Sequence, residues 1–324
     1  MTQALIPLPD TAPAAVPDVA PNEATKVIQG RSPWQLAFER LRHDKVAVVS
    51  IVTIVIIIAM AFVAPLVAHL VGHGPNVQFR ETGLSPEGIP VGPSSHFLLG
   101  TDELGRDILV RIFYGARVSL LAGVFASTLA VALGVVIGLV AGYFGGSIDG
   151  VLSRFMDVVL SLPYLVFAIA LISVVGPSLG VSIIVIAFFS FASVGRIVRG
   201  QVLSITTKEF VEAARSLGAS DARIMFVDIL PNVLAPVIVY MTLLIPLSIV
   251  FEASLSFLGL GVLPPTASWG GMLAQATDGG MYQVAWWFLV FPGAALLVTT
   301  LAFNLLGDSV RDAFDPRYNR LFAV

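Results

Sequence analysis

The sequence predicts an all-α, polytopic membrane protein with six transmembrane helices. Of its 324 residues, 56% are hydrophobic and only 12% are charged, whereas a soluble globular protein carries about 25% charged residues. Uncharged apolar stretches long enough to cross a bilayer recur along the chain. A soluble multidomain enzyme is excluded, because the polar surface is too small to cover two domains.

The net charge and the cysteine count exclude further classes. The net charge of −3 is small, so the whole chain offers no electrostatic footprint for a nucleic acid. Without cysteine, the protein forms no disulfide, thiolate nucleophile or thiolate-rich metal site. The expected surroundings are the lipid bilayer, and no nucleic-acid partner is expected.

The N-terminal region divides into a tail and an amphipathic helix. Residues 1–33 are polar and rich in proline and alanine, so they predict a disordered tail that buries no core. Between residues 34 and 45, Trp34, Phe38 and Leu41 recur at helical spacing among basic side chains. This pattern is typical of a helix that lies on an anionic membrane surface.

The apolar stretches predict where the six spans lie. The first covers residues 46–68, twenty-three residues without a charge, which is longer than the apolar run of a signal peptide. With the helix before it, this span forms an N-terminal unit at 34–70. The other five spans are expected at 118–142, 153–175, 181–199, 235–260 and 285–306.

The distribution of lysine and arginine predicts the orientation. With the N-terminus inside, fourteen of these residues fall on the inner side. Four fall outside, in or beside an external loop at 71–115, namely Arg80, Arg106, Arg111 and Arg117. Because an excess of basic residues marks the cytoplasmic side, both termini are expected in the cytoplasm, including a C-terminal tail at 308–324.

Residues 208–232 predict a cytoplasmic helix–turn–helix between the fourth and fifth spans. The first helix places small and apolar side chains on one face, namely Phe210, Ala213, Ala214 and Leu217. Gly218 follows, where a helix ends in a left-handed residue. A second short helix is expected from Ser220 or Asp221 to a stop at Pro231. This pattern fits either a hairpin packed on its own bundle or a surface that another protein approaches closely.

The spacing within this hairpin is specific. Glu212-Ala213-Ala214 is followed after three residues by Gly218, and Ile229-Leu230-Pro231 comes later. The arrangement resembles the EAA loop of ABC importer permeases, which contains the coupling helix that docks on the cytoplasmic ATPase. One departure is Asp228, where the broad pattern has isoleucine. The resemblance implies an ATPase-coupling site of seven residues: Glu209, Glu212, Ala213, Ala214, Leu217, Gly218 and Pro231.

Three further stretches narrow the family. Residues 99–107, 251–270 and 307–317 resemble signatures of the dipeptide/oligopeptide/nickel permeases before the second span, in the fifth span and at the C-terminus. The long N-terminal region resembles that of the C-type subunit of these systems. The resemblance implies a type I ABC importer permease fold with its core at 116–307 and its EAA loop at 208–232.

The resemblance also implies a function and a set of partners. The chain would be the permease subunit that carries di- or oligopeptides across a bacterial inner membrane. Its partners would be a homologous B-type permease, two ABC ATPase subunits and an extracytoplasmic solute-binding protein. The chain itself has no phosphate-binding loop, since none of Lys26, Lys45 and Lys208 follows a glycine. ATP and Mg²⁺ are therefore expected on the ATPases, with no catalytic residue, cofactor or metal in this chain.

Three alternatives stay open from the sequence. The same architecture would serve for the import of nickel or another small solute. A secondary transporter would need inverted repeats or discontinuous helices, and the sequence shows no internal repeat. A membrane-embedded structural protein would explain the spans but not the spacing within the hairpin.

Polar residues inside the spans are candidates for function, because a charge in hydrocarbon is costly. Glu252, in the middle of the fifth span, would meet the cationic amino terminus of a peptide or anchor the interface with the partner permease. Arg154 and Asp157, three apart in the third span, predict a local ion pair that orients this span or takes part in gating. Asn304 and Asp308, near the end of the last span, predict packing.

Three other groups of residues are candidates for a functional or structural role. In the external loop, four charged residues would catch substrate, dock a lobe of the solute-binding protein or, as we expect, cap and pair at the start of a helix: Asp102, Glu103, Arg106 and Asp107. His69 and His73 are four apart, but Gly72 disfavours the helix that a nickel or zinc pair would need.

Small residues spaced by four predict that the second span packs closely on another helix of this chain: Ala126, Ala130, Gly134, Gly138 and Gly142.

Overall fold

The structure is a computed structural model that describes residues 33–315. Of the N-terminal tail predicted at 1–33, all but residue 33 lies outside the described residues. Of the C-terminal tail predicted at 308–324, residues 316–324 lie outside them. Within 33–315 the chain is helical and forms no β-strand, which agrees with the predicted all-α class. Isolated bridges occur only in the long loop before the second long helix.

The described part of the chain folds into a helical bundle. In chain order its α-helices are α1 (Pro33–His43), α2 (Lys45–Val71), α3 (Ile108–Phe144), α4 (Gly146–Ser161), α5 (Tyr164–Val175), α6 (Leu179–Ile205), α7 (Glu209–Ser216), α8 (Asp221–Arg223), α9 (Leu230–Phe257), α10 (Trp269–Thr277) and α11 (Trp286–Phe314). A π-helical segment, Ile224–Ile229, joins α8 to α9, and a 3₁₀ segment, Asp278–Gln283, precedes α11. Among the described residues, α2, α3, α6, the run from α8 to α9, and α11 are long and apolar enough to cross a membrane.

The third predicted span, 153–175, is not one straight helix. The chain breaks between α4 and α5, whose axes differ by 87°, and the pair makes a sixth span only if the two helices are counted together. Pro163 explains the break, because proline lacks the N–H of a continuing helix and pushes the residue before it out of the α region. Leu162 accordingly has φ −77° and ψ 132°.

The second span is longer than predicted. α3 starts at Ile108, ten residues before the expected start at 118, because the Asp107 carboxylate accepts hydrogen bonds from the first free backbone N–H groups. Arg111 and Arg117, which we expected in or beside the external loop, therefore lie within this helix.

The stripe of small residues on α3 packs against α6, as predicted. A Cβ added to Gly138 would lie 2.5 Å from the Gly195 carbonyl oxygen, and one added to Gly142 would lie 2.7 Å from Cβ of Val202. Gly134 meets Val194 in the same way. The absence of side chains at these positions is what allows the two backbones to approach.

The N-terminal helix packs on the end of the last span. The Arg40 guanidinium donates to the carbonyl oxygens of Ala313 at 2.9 Å and Asp315 at 3.0 Å, and the Trp34 ring meets Phe314 edge to face. α11 continues to Phe314, eight residues beyond its predicted end at 306. Cations at the C-terminus of a helix stabilise its last carbonyl groups.

The bundle has two ends, which we name by their contents. At the hairpin end, α3, α6 and α11 finish and α2, α4 and α9 start, next to residues 208–232. Gln201, Tyr240 and Arg311 line one groove there, which places the ends of α6 and α11 beside the start of α9. At the loop end lie residues 72–107 and the segment between α9 and α11. The hairpin therefore shares its end of the bundle with both ends of the described chain.

Candidate functional site

The hairpin at residues 208–232 starts with α7 and turns at Gly218. This residue has φ +79°, and its N–H donates to the Arg215 carbonyl oxygen at 3.0 Å, while the Ala219 N–H donates to Ala214 at 3.1 Å. The predicted left-handed helix end is therefore confirmed. A Cβ at this position would meet nothing within 4 Å, so glycine is required by the backbone conformation and not by the space.

The second arm of the hairpin does not stop at Pro231, and that expectation is wrong. Ser220 caps α8 by accepting a hydrogen bond from the Arg223 N–H, and the chain then continues through the π-helical segment into α9. Pro231 lies in the first turn of α9, where a helix needs no N–H donor from this position. The hairpin is thus directly continuous with the fifth span.

The inner face of the hairpin is fixed to the bundle. Its buried side chains belong to one apolar cluster with Val198 and Val202 of α6: Val211, Ile224, Met225 and Ile229. The Tyr143 hydroxyl, at the end of α3, donates to the Asp221 carboxylate at 2.7 Å. The Arg215 guanidinium lies 5.7 Å from the centroid of the same tyrosine ring. Two spans therefore hold the hairpin in place.

The outer face of the hairpin exposes large apolar side chains. Leu217 is 89% exposed, Phe226 53% and Val227 58%. Six of the seven predicted coupling residues lie on the surface of the described chain: Glu209, Glu212, Ala213, Leu217, Gly218 and Pro231. The seventh, Ala214, is half-buried against the apolar cluster. A firmly packed element with exposed apolar side chains is typical of a protein-docking surface.

Ion pairs hold α4 to α6 near the hairpin. Asp149 pairs with Arg199, whose Nη2 lies 2.6 Å from its Oδ2, and Asp157 pairs with Arg196. The predicted pairing of Arg154 with Asp157 is marginal, because their atoms are 3.9 Å apart and the Arg154 side chain is 86% exposed. The Asp157 carboxylate faces α6 instead, because α4 packs along that helix. Asp157 therefore joins α4 to α6, and its pairing within α4 is the weaker one.

Glu252 is buried and bonded within this chain. It accepts hydrogen bonds from the Ser256 hydroxyl at 2.6 Å and from the Ser119 hydroxyl of α3 at 3.1 Å, and its side chain is inaccessible to solvent. It lies five residues before the end of α9, so its expected place at mid-span is wrong. Its hydrogen bonds join α9 to α3, whereas we expected a contact with the partner permease or the transport pathway.

Asn304 and Asp308 lie on the exposed surface of α11. No hydrogen bond joins them within residues 33–315. The packing that we expected for this pair is therefore not made inside the described chain.

The acidic and basic residues of the external loop form a buried cluster at the loop end. Asp102 accepts from the Arg106 guanidinium at 2.6 Å and lies 3.3 Å from that of Arg111. Asp107 caps α3 and lies 2.6 Å from Nδ1 of His73. The expected capping and ion pairing are confirmed.

The histidine pair does not form the helical metal site considered from the sequence. His69 and His73 do not share a helix, because α2 ends at Val71 and Gly72 is left-handed. The described residues contain no group of three or more side chains placed to hold a metal ion.

Glu103 is the half-exposed member of the charged cluster at the loop end. Its burial, with the Asp102 and Asp278 carboxylates nearby, raises the pKa of Glu103 above its ordinary value.

Several contacts were not found from the sequence. Arg196 and Arg199 lie inside the fourth predicted span, where a charge requires a partner, so their presence was a signal to search for carboxylates on a neighbouring helix. Tyr143 and Ser119 gave no comparable signal. Hydroxyl groups are common in spans, and only the packing of α3 shows what these two bond.

The family comparisons place the chain among transport proteins. Residues 134–320 match the family described as "Binding-protein-dependent transport system inner membrane component". Residues 32–85 match the "N-terminal TM domain of oligopeptide transport permease C". These two segments cover the N-terminal span and most of the bundle.

Curated relatives of the chain carry consistent names. The di/tripeptide transport system permease protein DppC of Pseudomonas aeruginosa is 41% identical over 286 residues, 88% of this chain and 93% of that protein. The dipeptide transport system permease protein DppC of Escherichia coli is 42% identical and covers 92% and 98%. The oligopeptide transport system permease protein OppC of Salmonella typhimurium is 43% identical and covers 90% and 93%.

One solved structure is also similar. A chain of the MetNI methionine ABC transporter in an inward-facing conformation matches 62% of this chain and 94% of its own length, with 18% identity and a TM-score of 0.48.

Proposed function

Because the chain belongs to the family of binding-protein-dependent transport system inner membrane components, we propose that it carries di- and oligopeptides through the inner membrane. It is the permease subunit of an ATP-driven importer. Support for the cargo comes from curated relatives, 41–43% identical, whose names specify dipeptide, di/tripeptide or oligopeptide transport. The apolar helices make the chain a multi-pass membrane protein.

The hairpin at residues 208–232 couples this permease to its ATPases. One observation carries this assignment: Leu217 is 89% exposed on a hairpin whose opposite face is buried in the bundle. An apolar side chain held out from a firm support gains free energy when a partner covers it. Glu209, Glu212 and Ala213 lie on the same exposed surface and would line the edge of the contact.

The continuity of the hairpin with the bundle explains how a push would reach the pathway. The second arm runs through the π-helical segment into α9 without a flexible linker. The first arm follows α6, to which α4 is tied by the pairs of Asp149 with Arg199 and of Asp157 with Arg196. When ATP closes the ATPases, the hairpin would move with α9, α6 and α4 as a unit and switch access from one side to the other.

The partners follow from this arrangement. The two ATPase subunits would bind at the hairpin end and hold ATP and Mg²⁺, while this chain would contribute no catalytic residue. A homologous B-type permease would complete the pathway, and a solute-binding protein would deliver the peptide at the loop end. Both termini would then lie in the cytoplasm, in agreement with the excess of basic residues on that side.

Site-directed cross-linking tests the docking surface. The chain contains no cysteine, so a Leu217→Cys variant carries one thiol on this subunit. In the assembled transporter, a thiol-to-amine cross-linker should join this variant to an ATPase subunit. The matched control is Leu98→Cys, an exposed position at the loop end. An ATPase adduct from Leu98→Cys, or a Leu217→Cys thiol that reacts with maleimide but forms no adduct, would refute the assignment.

Uptake measurements test the cargo separately. Cells that express the complete set of subunits should accumulate a radiolabelled dipeptide, and excess unlabelled tripeptide should compete with it. If the same cells accumulate radiolabelled nickel and not the dipeptide, the cargo is the metal. The docking test above is independent of this result.

A further inference from the structure

A groove lies between α2 and α3, apart from the hairpin and from the buried charges of the loop end. It has a volume of about 370 Å³. Its lining residues come from both helices and include Phe62 of α2 and Arg117, Leu120, Leu121, Val124 and Phe125 of α3. All are apolar except Arg117. Phe62 is 78% exposed, Phe125 57% and Leu121 44%, so the groove opens on the outer surface of the chain.

Proline explains how Arg117 is positioned there. The carbonyl oxygen of Ala61 would normally accept from the N–H four residues later, but that residue is Pro65, which has none. The Arg117 guanidinium fills this place, with Nε 2.5 Å from the Ala61 oxygen and Nη2 3.3 Å from that of Phe62. In hydrocarbon every backbone carbonyl requires such a partner.

The same guanidinium keeps part of its bonding capacity. Its Nη1 makes no hydrogen bond to any residue between 33 and 315, and no carboxylate in this part of the chain pairs with it. The ring of Tyr114 lies 5.0 Å from its central carbon and supports the cation from one side. A positive charge without a counter-ion in a medium of low dielectric attracts an anion strongly.

The direction of the groove matches a lipid. α3 runs from the loop end towards the hairpin end, so Leu120, Val124 and Phe125 lie progressively farther from the loop end than Arg117. The distance from Arg117 to Phe125 is about 12 Å along the helix axis. Because side chains tilt towards the N-terminus of their helix, the Arg117 side chain lies at the end of the groove nearer to the loop end. A cation therefore stands at one end of an apolar groove.

We propose that this groove binds one acyl chain of a phospholipid with a negatively charged headgroup. The lipid phosphate accepts a hydrogen bond from Nη1 of Arg117, and the acyl chain lies along Leu120, Val124 and Phe125. A headgroup with its own ammonium would partly cancel the attraction, so phosphatidylglycerol should bind better than phosphatidylcholine. The lipid would sit against the N-terminal span of the permease.

Native mass spectrometry of the purified full chain tests this site. After exchange into mild detergent with equal amounts of phosphatidylglycerol and phosphatidylcholine, the wild type should retain one phosphatidylglycerol. Arg117→Gln should lower this retention about tenfold, which is the usual size of one charged hydrogen bond. Arg117→Lys should keep most of it. Arg80→Gln, a change of an exposed cation in the loop, should have no effect.

Two further variants separate the lipid site from a purely structural role. Pro65→Ala combined with Arg117→Gln restores an N–H for the Ala61 carbonyl, so this double variant should fold well and still lose the lipid. Val124→Trp fills the groove without touching the cation and should lose the lipid as well. Equal retention by the double variant and the wild type, equal binding of the two lipids, or retention by Val124→Trp would overturn the proposal.

Discussion

The two ends of the bundle use charge in opposite ways. At the loop end, Asp102 and its partners Arg106 and Arg111 are each at most 2% exposed. On the side of the hairpin, the side chains of Asp149 and Arg199 are 17% and 32% exposed, and those of Asp157 and Arg196 are 43% and 54% exposed. A fully buried pair is costly to separate, whereas a partly exposed pair contributes less to stability. The loop end is therefore built as a fixed frame, and the hairpin end as a surface whose contacts can change.

Apolar side chains show the same difference. At the loop end, Trp269 is fully buried and its Nε1 donates to the Ile112 carbonyl oxygen at 3.1 Å. Trp287 is also buried, and its Nε1 donates to Thr101. At the hairpin end, Leu217 and Phe226 extend from the surface. These two tryptophans at the loop end are thus packed and hydrogen-bonded within the chain, whereas Leu217 and Phe226 of the hairpin are exposed.

The largest effect should come from breaking the buried cluster. Asp102→Ala leaves the guanidinium groups of Arg106 and Arg111 buried without their carboxylate, which costs about 3–5 kcal/mol. We expect a strongly lowered thermal midpoint or loss of the folded protein in detergent. A variant with wild-type thermal stability would show that the loop end is not a rigid frame.

The second-largest loss of stability should come from disturbing the packing of α3 on α6, two helices that connect the ends of the bundle. Gly138→Val places methyl groups against the backbone of Gly195 and Arg199, and such overpacking costs about 1–3 kcal/mol. The thermal midpoint should fall clearly. Gly150→Ala is the control, because a Cβ there meets nothing within 4 Å on the exposed α4. An equal loss in both variants would mean that the stripe of small residues has no packing role.

A smaller effect is expected at the hairpin end. Asp157→Asn weakens the exposed pair with Arg196 and should cost less than about 1 kcal/mol of stability. The ratio of peptide uptake to ATP hydrolysis should change more than the thermal midpoint, because the pair ties α4 to α6. If stability falls as far as in Asp102→Ala, the contrast between the two ends is wrong.

The smallest effect is a pH dependence at Glu103. Its burial raises the pKa of this carboxyl in the folded protein, so the folded state keeps a proton that the unfolded state has already released. Stability is therefore lost as the pH rises from the ordinary pKa of a glutamate to the raised one. Glu103→Gln should stabilise the protein at neutral pH and make no difference in acid below that window. Thermal midpoints at both pH values measure this.

Hydropathy predicted the long helices well, because a membrane span needs a long apolar run whichever helices lie beside it. The break at Pro163 was also predictable from the sequence, since this proline lies inside the predicted span 153–175. The sequence predicts the start of the second span at 118, too late by ten residues, because the charges of Arg111 and Arg117 are typical of a loop. Each of these arginines bonds backbone carbonyl groups of the same chain, which no local pattern reveals.

The candidate site was predicted less completely than the spans. The turn at Gly218 followed from the residue type, because only glycine adopts its φ without strain. The orientation of the arms did not follow, since Val211 and Ala213 are both apolar and only the packing on α6 decides that the first is buried. Asp157 was assigned to its neighbour in the sequence, whereas its partner lies on α6. Pairing between helices depends on which helices are adjacent, and a single sequence does not contain that information.

The hairpin is proposed to transmit force from the ATPases to the spans. The most direct test of this role compares peptide uptake with ATP hydrolysis for an Ala213→Asp variant in the reconstituted transporter. Ala213 is exposed, so a charge there should leave folding and membrane insertion intact while it disturbs the docking surface. We expect ATP hydrolysis that no longer drives uptake, and normal coupling in the Gly150→Asp control. Normal uptake by Ala213→Asp at the wild-type expression level would contradict the central claim.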